Sequence, residues 1–259
     1  MCQLKSCLVL KDRVFCPDYD SHQQMLKELG IEDSYLHASK TFVRVELTPP
    51  NDNTRSLIGS LDEWALRVDQ DVTPEWWDEK ADRQRVEEAI EAWRKKHVFT
   101  EGEHVVRVGA VYAFGNAIVS AYGHTMVTAN DNAKVRVHDC AKIYAFGKAT
   151  VEASGCTTVK AYGSVTVEAL GNVKVEAFGN ATVKAHNIVT VTACDHAKVE
   201  AYNNVKVEAY DNAEVSAYDS TKAKARSRAM VKAYDNAIAI YPEQRKAVYP
   251  IGWTVEIHE

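Results

Sequence analysis

The sequence lacks an apolar run of membrane length, and no secretory pattern follows Met1, which leads into Cys2 and Lys5. The expected address is the cytoplasm, with no membrane partner. Six cysteines (Cys2, Cys7, Cys16, Cys140, Cys156, Cys194) include no C-x-x-C pair, which argues against a zinc ribbon or a disulfide framework and for reduced thiols. No catalytic or ligand motif rises above background. Concentrated basic surface is also missing. Residues 1–104 carry 14 Lys+Arg against 21 Asp+Glu, the remainder 17 against 15, and the whole chain has a net charge of −5. That balance argues against a nucleic-acid partner. The one basic cluster, Lys222, Lys224, Arg226, Arg228 and Lys232, reads as a solvated rim or a contact for phosphate or an acidic partner.

What is present is repetition. From Ala113 to Ile240 the chain repeats every eight residues for sixteen units, with the consensus A-Y-D-N-A-x-V-x. Position one is alanine except at Val137, and position seven is Val or Ile except at Ala223 and Ala239. Position five is Ala, Val or Thr. Spaced by two, these positions share one face of an extended strand, small and β-branched enough for a thin core. Positions six and eight, such as Lys198 and Glu200, face water. Position three is Gly, Asp or Asn in fifteen of sixteen units, with Ser227 the exception, and these residues tolerate a left-handed corner.

Six extended residues and a two-residue corner predict a β-solenoid. Two octads per coil give a two-sheeted rod with sixteen residues per coil, eight coils at about 4.8 Å each, on the order of 40 Å long. Three octads per coil also satisfy the spacing. The double-octad coil, with Gly- or Asp-containing corners and recurrent tyrosine, resembles the solenoid repeats of bacterial ice-nucleation proteins. It is also similar to uncharacterised A-Y-D-S-A-T-V repeat proteins of gut bacteria and their phages. That resemblance covers roughly half the chain and implies fold more than activity. The ice-binding pattern needs outward T-x-T, whereas outward pairs here are mostly charged, such as Lys174 with Glu176.

Residues 1–104 follow a different grammar and predict an N-terminal α+β cap domain of β-β-α-β-β-α order. Cys7 to Leu10 and Val14 to Phe15 read as a hairpin around Lys11-Asp12-Arg13. Ser21 and Gln24 stand at capping-box spacing before Met25, Leu26 and Leu29, and Gly30 stops that helix. Phe42 to Leu47 alternates like a half-buried strand, and Trp64, Leu66 and Val68 repeat the pattern. Thr73-Pro74 is expected to open a helix running to about Val98, with Val86, Ala89, Ile90 and Trp93 as its apolar stripe. Residues 105–240 form the solenoid. Residues 241–259 form a C-terminal cap in which Pro242, Tyr249, Pro250, Ile251 and Trp253 cover the last coil and Thr254 to Ile257 add a strand, because a bare terminal rung is an unpaired edge.

Three constellations bear on function. His22 with Asp20 and Asp69 is a candidate acid–base group, equally explained as a helix cap. His124, Cys140 and Cys156 all occupy position four, sixteen residues apart, and form a candidate metal ladder or a chance thiol ladder. Position two places Phe146, Tyr162 and Phe178 on one edge, and Tyr202, Tyr218 and Tyr234 on the other. These rings are candidate binding residues or corner supports, pointing out or in. The functional expectation is a non-enzymatic binding or scaffold protein that offers a rigid solenoid to a protein partner, such as a host protein for a phage-borne chain, or to a second copy as a homodimer. No cofactor is expected. The alternative is a small enzyme in residues 1–104, acting on nucleotides or phosphoesters, with the solenoid as its targeting or oligomerisation arm.

Overall fold

The computed structural model describes residues 4–51, 54–242, 246–248 and 254–256. The chain divides into two compact units, Met1–Val98 and Phe99–Glu259. Among the described residues, no helix is long and apolar enough to cross a membrane.

In the first unit, β1 (Lys5–Leu10), β2 (Val14–Phe15), β3 (Phe42–Thr48) and β4 (Ala65–Val68) form an antiparallel sheet of order β2-β1-β3-β4. The hairpin forms as expected, with Val9 opposite Val14 and Leu10 N donating to Arg13 O at 2.8 Å. Helix α1 (His22–Glu28) begins at Ser21, whose hydroxyl accepts from Gln24 N, and ends at Gly30 with φ +67°. Met25 and Leu26 pack from α1 onto Leu8, Leu10 and Phe42. A short α2 (Tyr35–Ala38) precedes β3, and α3 spans Glu79–His97.

The structure corrects the start of α3. Asp78, not Thr73, caps it, because its carboxylate accepts from both Lys80 N and Ala81 N at 3.0 Å, while Pro74 lies in a preceding turn closed by Trp77 N to Pro74 O. The buried stripe also differs from the apolar one: Asp82 and Arg94 join Val86 and Ile90. Both charges are answered internally. Asp82 pairs with Arg85, and Arg94 donates to Gly59 O at 2.9 Å and stands 5.0 Å over the Trp64 ring.

The second unit is a β-solenoid of two parallel sheets, with nine strands described in one and twelve in the other. Strands sixteen residues apart pair in register, for example Val135 with Val119 and Val151, which establishes two octads per coil. Positions five, seven and one are sealed from solvent, as Ala181, Val183 and Ala185 illustrate, except near the last coil, where Val231 and Ala233 are half-buried, and residues from both sheets form one core. All sixteen position-three residues have positive φ, from +55° at Asp219 to +95° at Gly171, and Ser227 conforms at +57°. Corners are bonded coil to coil, as in Asn132 N to Gly115 O at 3.1 Å and Ser164 N to Gly147 O at 2.9 Å.

The solenoid gains a coil ahead of Ala113, beyond the eight read from the octads, built from strands Glu103–Val106 and Ala110–Ala113. Val106 pairs with Ala121 and Ala110 with Met126, so the first of these strands stands fifteen residues before its partner and the second sixteen. That one-residue difference breaks the octad phase. At the other end, Lys246–Val248 and Thr254–Glu256 add antiparallel strands to Ile238–Tyr241. The proposed cover residues Tyr249, Pro250, Ile251 and Trp253 lie outside the described residues.

Candidate functional site

The outward columns of the solenoid mix charged residues with threonine, and part of the charge is paired. Lys160 Nζ on one coil meets Glu176 on the next at 2.9 Å, Lys174 meets the same carboxylate at 3.3 Å, and Arg136 meets Glu152 at 3.2 Å. Position two is different. Phe114 is buried at this position, but from Tyr122 onward several of its residues stand outward beside a corner and stack on the same position one coil along.

The two edges differ. On one, Phe146, Tyr162 and Phe178 stack at 5.1 Å between centroids. On the other, His186, Tyr202, Tyr218 and Tyr234 stack at 4.8 Å with planes within 11°. Further up that edge, Arg107 stands 4.9 Å over Tyr122, which stacks on His138. Most of these rings are half-buried, because each covers a face of the next, and their rims remain open. Burial in the stack and the Glu200 carboxylate raise the Tyr202 phenol above its usual pKa.

Among the described residues of the solenoid, six large apolar side chains are exposed; Val105 (65%) and Met230 (57%) lie on strand faces, and the other four lie on the tyrosine edge. Val108 (82%), Leu170 (51%), Ile188 (64%) and Tyr234 (42%) all sit at its corners, and none of the exposed large apolar residues described falls on the Phe146 edge. Leu170 escapes notice in the sequence because it interrupts the aromatic column, and Ile188 because it stands at position four of its octad. Their column positions were the signal.

The other candidates separate in space. Asp20 turns to Lys5 at 2.8 Å and accepts from Ser6 N at 3.0 Å. His22 Nδ1 instead faces Asp69 Oδ2 at 3.3 Å, and Glu46, which sequence reasoning passed over, joins them with ligand atoms within 4.8 Å of one another. Cys140 and Cys156 stand at the same exposed corner of consecutive coils. Among the described residues, His124 joins no three-ligand group. Two coils separate it from Cys156, about 10 Å at one rung per strand spacing. Comparison with protein-family models, with curated proteins and with solved structures finds no match.

Proposed function

We propose that this chain is a non-enzymatic binding protein whose solenoid offers its tyrosine edge to a second copy of itself. The observation that carries this reading is the gathering of exposed Leu170, Ile188 and Tyr234 beside the Tyr202–Tyr218 stack, which has no counterpart on the Phe146 edge. A ring with an apolar face and a wettable hydroxyl suits an interface that must also survive in water. A strip repeated every coil is self-complementary under a two-fold axis, the commonest symmetry of soluble oligomers. A hetero-partner on the same edge, such as a host protein for a chain of phage origin, is the reading that the repeat resemblance favours. Ice nucleation is disfavoured by the Lys160–Glu176 type of ion pair on the outward face.

Light scattering over a concentration series tests the proposal. The wild type is expected to be a dimer, and the Tyr202→Ser, Tyr218→Ser, Tyr234→Ser triple variant a folded monomer with unchanged circular dichroism, since the Ala and Val core is untouched. A monomeric wild type overturns self-association. A triple variant that unfolds assigns the rings to corner support instead.

A further inference from the structure

The first unit holds a small polar group that the solenoid reading does not use. His22 is the first residue of α1, Glu46 lies within β3, and Asp69 follows β4, tied by its own N–H to Arg44 O at 2.9 Å. Three separate backbone elements therefore aim one nitrogen and two carboxylates at one point. The imidazole orientation is decisive. Its Nε2 stands 3.2 Å from Val45 O, and a carbonyl only accepts, so Nε2 carries the proton. In the neutral ring Nδ1 is then a bare lone pair, and it faces the Asp69 carboxylate, another acceptor, at 3.3 Å. Two acceptors at that distance need a cation between them, either a proton or a metal ion. A ligating histidine that donates its second N–H to a backbone carbonyl is the arrangement that fixes tautomer and ring orientation at metal centres.

We propose that His22 Nδ1, Glu46 and Asp69 bind a divalent first-row metal cation. One imidazole with two carboxylates is a hard-to-borderline donor set suited to Mn²⁺, Fe²⁺ or Zn²⁺. Ligands at about 2.1 Å from such an ion stand about 3–4 Å apart, so the group, now spread within 4.8 Å, closes by a modest side-chain shift. Asp69, at 44% exposed, has the freedom to make it. It also lines an open cleft with Arg44 and Arg67, so the Asp69 side of the group is reached by solvent. This site is independent of the tyrosine edge.

Manganese is the probe, because it favours oxygen and nitrogen over the thiols of Cys140 and Cys156. Free Mn²⁺ is counted by electron paramagnetic resonance during titration of the full chain at neutral pH. One ion per chain is expected for the wild type, and binding about tenfold weaker or more for Asp69→Asn and for Glu46→Gln. Selective broadening of the His22 ring resonances by Mn²⁺ in the wild type reads the same site should a variant fail to fold. Mn²⁺ that stays free up to millimolar concentration overturns the proposal and leaves a proton as the cation. Equal affinity of folded variants and wild type, or broadening of other histidines in place of His22, also overturns it.

Discussion

The carboxylate of Asp219 accepts a hydrogen bond from the backbone amide of Asn203, 3.0 Å away and one coil earlier. Asp139 does the same for Gly123 and Asp195 for Gly179, each at 2.9 Å. An aspartate at a corner therefore supplies a left-handed residue and satisfies an amide of the preceding coil. Asp219→Ala loses both contributions, Asp219→Gly loses only the hydrogen bond, and Asp219→Asn keeps an acceptor oxygen. Thermal unfolding should rank the losses Ala, Gly, Asn, with the alanine variant costing about 1–3 kcal/mol. Equal melting temperatures for the alanine and glycine variants would contradict the conformational half of the argument.

Neighbouring residues can differ completely in tolerance. Val183 is sealed between coils, and Lys184 beside it is exposed, its ammonium 5.8 Å from the Tyr202 ring centre. Val183→Asp buries an unpaired carboxylate among Ala and Val, which costs about 3 kcal/mol or more. Lys184→Asp should change stability by only a few tenths. The check is the difference in melting temperature; comparable losses would mean that inward and outward columns are exchanged.

Acid should weaken one coil-to-coil contact in a defined direction. The Lys160 ammonium, with Lys174 adding to it, holds the Glu176 carboxyl below the usual glutamate range. A group depressed in the folded state stabilises above its unfolded pKa, and that contribution disappears as pH falls through the folded value. Glu176→Gln should therefore melt slightly lower than the wild type at neutral pH. The gap should close in acid below the glutamate range. A gap that persists there would assign the effect to packing rather than to charge.

Coil length can be read chemically from two cysteines. Cys140 and Cys156 occupy the same corner of consecutive coils, where strand spacing of about 4.8 Å falls within the reach of a disulfide. Diamide, which takes two hydrogens as two thiols join, should link Cys140 to Cys156 within one chain, as peptide mass spectrometry would detect. Separate alkylation of both thiols after oxidation would contradict the sixteen-residue coil.

The solenoid was legible because its columns are set by local chemistry: alanine at position one, a β-branched residue at seven, and a left-handed residue at three. Phase errors hid the rest. Val106 sits one residue out of step with Ala121's column, so the coil before Ala113 carried no octad signal. Asp78 outcompeted Thr73-Pro74 as a cap because its carboxylate reaches two free amides, a geometry that spacing does not reveal. His22 and Asp69 stood out as residue types, but Glu46 did not, since an alternating strand offers many glutamates and only the pairing of β1, β3 and β4 selects one. The exposed Leu170 and Ile188 became meaningful only once sixteen-residue coils put them on the edge of Tyr202.

The central claim is that the tyrosine edge, and not the phenylalanine edge, is the surface through which this chain binds. Hydrogen exchange on the wild type, compared between dilute and concentrated solution, tests it directly. Self-association should slow exchange at the corner amides following Tyr202, Tyr218 and Tyr234 and around Ile188, while those beside Phe146, Tyr162 and Phe178 stay unchanged. Protection gained along the Phe146 edge, or at neither edge while light scattering reports a dimer, would contradict it.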